Sequence, residues 1–444
     1  MKKLISTVIL LFALSIFSQA DFGMKMRMRS ELQNLNSTNS DKQIYERVVD
    51  MRFRPHLSYT VNDFIDVKAV FEIGDLEYGT NGGSLGTDGQ NLETKNIHID
   101  IKPTNNQLFR LGLMPYKDAH SMIIDSDLAG LMWKGSFNEY SVNLGWFAAQ
   151  DEGERYLSND TYSFGTSVFL ADMGYELNEM FTFGVNNIFV LDRTDYSPGV
   201  RRDGVSIFFA PRLLTNIGMF HLDAQFVANN NYAIYNPYDP GPGYSQPRDP
   251  DKTGLALSVK SKFKMDEKTT FRANLLFRGC YENWENYQDY DSFYDTGLEI
   301  INEDANGIST HNPMDGFTVQ SLGREEQLGI VVPSLFVDWE YMDNVIFTGG
   351  FGFILNDAAY GKKVTYQNPF ESKNKDMFIA WELDLKAKVT MYEDNISFFP
   401  YLALMVPTDN FAYNKVGDLE NFDENNEPVT DMQLKIGTTV KYNF

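Results

Sequence analysis

Lysines and arginines recur at alternate positions in several runs of this chain, a spacing that puts them on one side of an extended strand. Lys25, Arg27 and Arg29 alternate with Met24, Met26 and Met28. Arg52 and Arg54 alternate with Met51 and Phe53, and Lys260, Lys262 and Lys264 with Val259 and Phe263. Arg110, Arg272 and Arg278 stand in similar alternation. A row of cations lining a pore lowers the barrier for anions, and arginine presents a planar fork to carboxylate or phosphate. Like charges on adjacent strands repel. Lys25-Arg27-Arg29 beside Arg52-Arg54, and Lys260-Lys262-Lys264 beside Arg272-Arg278, therefore imply counter-charges or a bound anion.

The elements that must carry these residues are β-strands. Period-2 alternation runs through residues 22–29, 45–59, 255–264 and 432–444, and a pleated strand separates such sets onto two faces where a helix would mix them. Short turns rich in Asn and Asp separate the runs, among them Asn62-Asp63, Asn178-Glu179, Asp266-Glu267, Asp343-Asn344 and Asp394-Asn395. An aromatic often follows, as at Phe64, Tyr140, Phe181, Phe220, Phe271, Phe347 and Phe398. The intervening connections are long and polar, at roughly 33–44, 77–92, 115–127, 151–160, 192–203, 229–253, 283–322, 357–375 and 408–428. Short turns on one side and long loops on the other predict an all-β, antiparallel up-and-down transmembrane barrel of about eighteen strands, with sixteen as the alternative. An even count puts both termini on the short-turn side. Pro55, Pro211, Pro333 and Pro400 fall inside predicted strands, where proline cannot donate to the ladder, and predict bulges. The run 396–406 is apolar on both faces and leaves its facing open.

Residues 1–20 read as a signal peptide for the general secretion pathway: Lys2 and Lys3, an apolar stretch, then Ser18-Gln19-Ala20 as a small-x-small cleavage site. The apolar stretch is too short to cross about 30 Å of hydrocarbon. Residues 21–444 then form a single barrel domain. Mean hydropathy is −0.33, which excludes an α-helical membrane protein but not a barrel, in which alternate residues face lipid. Cys280 is the sole cysteine, so no internal disulfide holds the fold. Aromatics make up 14% of residues, more than an acidic soluble domain needs and suited to interfacial girdles.

The formal net charge is −23. Its carboxylates cluster in the long loops, as at Asp151-Glu152-Gly153-Glu154 and 418–427, whereas the strand faces carrying the ladders are richer in cations. The chain thus predicts an acidic exterior around a net-basic lumen. Met122-Ile123-Ile124, an apolar triplet in a polar loop, predicts that this loop tucks inward, with Asp125 and Asp127 turned toward the basic ladders; loop 283–322 is the competing constriction.

Enzyme and metal readings find little support. His56, His98, His120, His221 and His311 have no nucleophile at a recognisable spacing, and no enzyme activity is expected. Asn302, Asp304, Asn306 and Gly307 imitate the start of a calcium loop, but Pro313 occupies the position of the bidentate Glu. No cofactor is expected beyond a weak option for Ca2+ in the outer loops.

The whole pattern resembles Gram-negative outer-membrane porins, in particular the eighteen-stranded substrate-preferring and alginate-export types. Val440-Lys441-Tyr442-Asn443-Phe444 looks like the terminal-strand signal read by the barrel assembly machinery, with Tyr442 and Phe444 as its aromatic positions. The resemblance implies an integral outer-membrane protein in contact with lipid and lipopolysaccharide, passing small hydrophilic, anionic or polar solutes by diffusion and binding no nucleic acid. A polysaccharide export pore and a structural or adhesive barrel plugged by its loops are the alternatives. Solute, direction of transport and oligomeric state stay open.

Overall fold

A computed structural model describes residues 20–33, 46–77, 92–149, 166–197, 200–235, 252–281, 285–286, 296–300, 330–356, 378–408 and 432–444. The expected signal peptide (1–20, apart from Ala20), the calcium-like stretch 302–313 and the acidic clusters of the long loops lie outside these residues. Eighteen strands form one closed antiparallel sheet. In chain order they are β1 (Ala20–Gln33), β2 (Glu46–Asn62), β3 (Ile65–Glu77), β4 (Leu92–Thr104), β5 (Gln107–Lys117) and β6 (Asp125–Phe137). Next come β7 (Tyr140–Ala149), β8 (Thr166–Asn178), β9 (Phe181–Ser197), β10 (Val200–Ile217), β11 (Phe220–Tyr235) and β12 (Lys252–Lys264). The last six are β13 (Thr269–Arg278), β14 (Ile330–Met342), β15 (Val345–Asn356), β16 (Phe378–Met391), β17 (Ile396–Pro407) and β18 (Gln433–Asn443). The expected count of eighteen holds, and sixteen falls.

Each strand pairs with its sequence neighbours, and β1 closes the ring on β18 from Lys25↔Asn443 to Gln33↔Lys435. Phe444 completes the seam: its amide donates to Met24 O at 2.9 Å and its carbonyl accepts from Met24 N at 2.9 Å. Both chain ends of the barrel therefore sit on the short-turn side. The turns are held by the side chains that the sequence singles out. Asn62 Oδ1 accepts from Phe64 N, Asn178 Oδ1 from Met180 and Phe181 N, and Asp266 Oδ1 from Lys268 and Thr269 N, each within 2.7–3.0 Å.

The four prolines do not make bulges. Phe53↔Ile73 and His56↔Val70 keep one register across Pro55, as do Phe209↔Ala228 and Arg212↔Gln225 across Pro211. Val331↔Leu355 and Ser334↔Gly352 do so across Pro333, and Lys386↔Tyr401 and Val389↔Phe398 across Pro400. A residue in an antiparallel ladder exchanges hydrogen bonds with one flanking strand only. Each proline therefore interrupts pairing on a single side, while pairing on the other continues (Met24↔Pro55, Pro211↔Val185, Leu275↔Pro333, Pro400↔Thr438).

The predicted loop at 192–203 is also corrected. β9 and β10 run on through it, paired as Arg202↔Thr194 and Val200↔Ser197. A polar sequence without alternation hid this extension, because a backbone ladder outside an apolar layer needs no apolar face.

Outward positions carry exposed Leu111, Leu131, Leu144, Phe169, Leu335 and Leu385. Inward positions differ between the two sides of the barrel. On β1–β4 they are Arg27, Arg29, Asp50, His98 and Asp100. On β6–β10 toward the long-loop end they are Met132, Phe147, Leu170, Ile188, Val190 and Phe208, all buried. That apolar inner wall has to be covered, and a loop segment covers it.

Candidate functional site: a charged lumen narrowed by two infolded segments

Residues 118–124, between β5 and β6, fold into the barrel. Met122, Ile123 and Ile124 are fully or almost fully buried against the apolar wall. Burying three such side chains stabilises docking by roughly 5–9 kcal/mol before loop ordering is subtracted. Asp118 shapes the segment: Oδ1 accepts from Ile123 N (2.8 Å) and Ile124 N (2.9 Å), and Oδ2 from Met122 N (3.1 Å). Burial pushes the Asp118 carboxyl up, and the three amides pull the other way.

His120 then reaches the wall at β11 and β12. Its amide donates to Gln225 Oε1 (2.8 Å), Nδ1 pairs with Ser258 Oγ (2.8 Å), and Nε2 lies 2.9 Å from Asp223 Oδ1. Asp223 is itself gripped by Arg212, whose Nε and Nη2 donate at 2.7 and 2.5 Å.

Of the residues expected in the constriction, Met122 belongs to this segment, but Asp125 and Asp127 do not. Both lie in β6 on the outward register of Ala129 and Leu131, and Asp127 binds Lys95 Nζ (2.7 Å) and Asn96 Nδ2 (2.6 Å) at the rim. Alternation fixes this: the strand begins at Asp125, so its carboxylates follow the pleat and not the loop.

A second segment, residues 296–300 of the competing loop, also lies inside. Leu298 and Ile300 are buried, and Lys386 on β16 donates to Gly297 O (2.8 Å) and pairs with Glu299 (2.7 Å). Glu299 N donates to Asp384 (3.0 Å) and Ile300 N to Glu382 (2.6 Å). Burial raises the cost of the Glu299 charge, but Lys386, Lys435 and Arg29 hold its carboxyl below the usual glutamate range. Gly352 on β15 makes room: a Cβ there would meet Leu298 Cδ1 at 2.5 Å. Described segments of both candidate loops therefore lie inside the barrel.

The basic ladders occupy the inner wall with carboxylates interleaved. Arg27 and Arg29 share Asp50 (3.3 and 2.6 Å), and Arg54 and Arg52 share Glu72. Arg110 binds Asp100 through Nε and Nη2 (2.7 and 2.9 Å). Arg272 binds Asp338 (2.5 and 2.9 Å) and stacks over Phe336. Lys435 reaches Glu31, which also accepts from Tyr401 OH. Arg278 is buried on β13, Lys260 is half-buried and Lys262 exposed on β12, and Lys25 is exposed near the short-turn end of β1. Carboxylates thus stand among the cations of the first ladder, and in the second Asp338 stands beside Arg272.

Exposure within these pairs is uneven. Lys68 is 42% exposed and its partner Asp100 3%; Lys102 is 47% and Asp66 13%; Arg212 is 31% and Asp223 16%. In these three pairs the carboxylate is the more buried partner, whereas Arg52 and Glu72 (12% and 13%) and Lys435 and Glu31 (2% and 3%) are buried about equally. Lys134 is hidden in the sequence because it lies beside Trp133 in a run with no repeated charge; Asp118 and Glu299 are hidden because they lie in loops. Among the described residues no group of His, Cys, Asp and Glu has the geometry of a metal site.

The barrel fold of this chain recurs in other proteins. Solved structures share it over nearly the whole chain. OccK8 (OprE) of Pseudomonas aeruginosa matches with a TM-score of 0.54 and 12% identity, covering 96% of this chain and 98% of that one. OccK3 (OpdO) of the same organism matches with a TM-score of 0.55 and 9% identity, covering 97% of each chain. The outer membrane protein OpdK of P. aeruginosa matches with a TM-score of 0.53 and 10% identity over 96% of this chain and 99% of that one. At such identities the likeness is one of fold. No family model matches the chain, and no curated protein matches it.

Proposed function

We propose that this chain is an outer-membrane channel that passes small hydrophilic solutes by passive diffusion and favours anions. The observation that carries this reading is the uneven exposure of four of the ion pairs. A solute in the lumen meets Lys68, Lys102, Arg54 and Arg212 before it meets their carboxylates, and a lining of that sign lowers the barrier for anions. Pairing positions these cations without cancelling what they present. OpdK, similar in fold, has been crystallised with vanillate, a small carboxylate. The two infolded segments favour small solutes over a polysaccharide.

The outward apolar positions fit a lipid bilayer. Export through the general secretion pathway, recognition of Tyr442 and Phe444 by the assembly machinery, and contact of the outer loops with lipopolysaccharide complete the proposal, which assigns no catalytic role, cofactor or nucleic-acid partner. The burial of both segments also favours a second reading, a surface barrel plugged by its loops. Planar-bilayer recording separates the two: a purified barrel that conducts nothing refutes the channel. Reversal potentials in a salt gradient test the charge preference, and clear cation selectivity refutes it.

A further inference from the structure

The rim formed by the short turns is chemically lopsided. From β8 to β17, five successive short turns each carry an exposed methionine: Met180, Met219, Met265, Met342 and Met391, at 46, 61, 58, 50 and 41% exposure. The three turns between β2 and β7 carry none. Val61 and Phe64 flank the first of those, and Phe137 and Tyr140 the last. On the methionine side the same five turns hold Glu179, Asp266, Glu267, Asp343, Glu393 and Asp394, all exposed, against Lys268 as the one cation.

This composition is the reverse of a bilayer anchor. Barrels are held at the headgroup level by Trp, Tyr, Lys and Arg. Here Met265 stands two residues beyond Phe263 and Met342 three beyond Trp339, past the aromatic girdle. Four of the five methionines have a carboxylate within two residues, which repels anionic headgroups. Methionine is unbranched and polarizable, and it suits surfaces that adapt to a protein partner. Exposed apolar groups ringed by charge mark such surfaces.

The spacing of the turns narrows the partner. Successive short turns lie two strands apart, about 10 Å at the strand spacing of a sheet. One heptad of α-helix rises about 10.5 Å. An amphipathic helix laid along the rim therefore brings one apolar residue per heptad onto each turn, and the turns of Met219, Met265 and Met342 take about two heptads. We propose that this half of the short-turn rim docks a cationic amphipathic helix of a soluble partner, its apolar stripe on Met219, Met265 and Met342 and its cations opposite Glu267 and Asp343. The carboxylates select a basic partner and the methionines supply the apolar contact. This surface lies outside the lumen and goes beyond the channel reading, on which it depends only for the compartment, the periplasm, that the short turns face.

The test places the full barrel in phosphatidylcholine nanodiscs and adds a synthetic helical peptide of leucine and lysine with leucine on one face. A scrambled peptide of the same composition and a leucine–glutamate peptide are the controls, and binding to empty nanodiscs is subtracted. Affinity is read by fluorescence anisotropy, and contact by peroxide oxidation of methionines followed by mass spectrometry. Met219, Met265 and Met342 should oxidise readily alone and at least about fivefold more slowly under the leucine–lysine peptide, while buried Met132 and Met405 stay unreactive. Replacing all three by serine should weaken that peptide at least about tenfold. Glu267→Gln with Asp343→Asn should weaken it too, more at low salt than at high. Equal affinity for either control peptide overturns the assigned partner chemistry, and unchanged affinity in the methionine variant overturns the surface. Methionines no more reactive than Met132 in nanodiscs without peptide are covered by lipid, which also overturns it. A wild-type barrel that binds the peptide but conducts nothing in a planar bilayer refutes the channel and leaves the docking surface standing.

Discussion

Replacing His120 by alanine asks what keeps the first infolded segment across the lumen. The imidazole supplies one hydrogen bond to Ser258 Oγ (2.8 Å) and one contact with the Asp223 carboxylate (2.9 Å). A neutral bond is worth about 1 kcal/mol and one to a charged group about 1.5–3 kcal/mol, so His120→Ala should cost roughly 2–4 kcal/mol of docking. That is less than the roughly 5–9 kcal/mol from burying Met122, Ile123 and Ile124. The variant should therefore fold with its apolar triplet mostly seated, while the open state gains about thirtyfold or more in population. Hydrogen exchange at the amides of Met122, Ile123 and Ile124, which Asp118 holds closed, should speed up by that factor. Bilayer recordings should show more frequent visits to a wider conductance level. Unchanged exchange together with unchanged recordings would refute the idea that His120 positions the segment. His120→Gln, which keeps a donor of similar reach, should restore most of the protection.

The other segment should answer to acid. Glu299 ionises below the usual glutamate range when docked, so its contribution is present above that range and is lost as pH falls through the docked value. Conductance should rise or grow noisier below about pH 4, and Glu299→Gln should remove the change. Gly352→Val sets side-chain atoms against Leu298 and against Pro333 O, 3.1 Å from the added Cβ. An overpacking cost of about 1–3 kcal/mol should loosen the second segment, read as faster amide exchange at Ile300. Replacing Arg52 and Arg54 by glutamine leaves Glu72 without its two arginines, so the reversal potential should shift toward cations; no shift clears both of a role in selectivity.

Much of the wall was legible because a strand in a barrel has a period of two and little else to satisfy. Arg27, Arg29, Arg52, Arg54 and Arg110 stand on the inner face that alternation assigns them, and the turn residues Asn62, Asn178 and Asp266 cap the turns that their types predict. What alternation could not show is the inner wall of β6–β10. There Phe147, Leu170 and Phe208 face inward while Trp146, Phe169 and Phe209 face outward, so the strand is apolar on both faces and its facing is mute. Run 396–406 is a similar case: Tyr401, Ala403 and Met405 are inside, and Leu402 is outside.

The infolded segments were legible only in part, for a different reason. Met122-Ile123-Ile124 betrays itself as an apolar triplet in a polar loop, because exposing it to water is costly. Its anchors do not. His120 meets Gln225 and Ser258 across more than a hundred residues of chain, and nothing in the local sequence distinguishes a histidine that will find such partners from one left in solvent. The ion pairs divide along the same line. Arg110 with Asp100 could be read from two adjacent strands once their register was known, whereas Lys386 with Glu299 joins a wall strand to a loop whose path no periodicity encodes. The lining of this barrel is therefore written in two layers. The strand layer sets where cations stand, and the loop layer sets how much of that lining a solute can reach. Variants in the first should move selectivity, and variants at His120 or Glu299 should move pore width with little change in selectivity. A His120→Ala barrel whose reversal potential shifts as far as that of the Arg52 and Arg54 variant would break this separation.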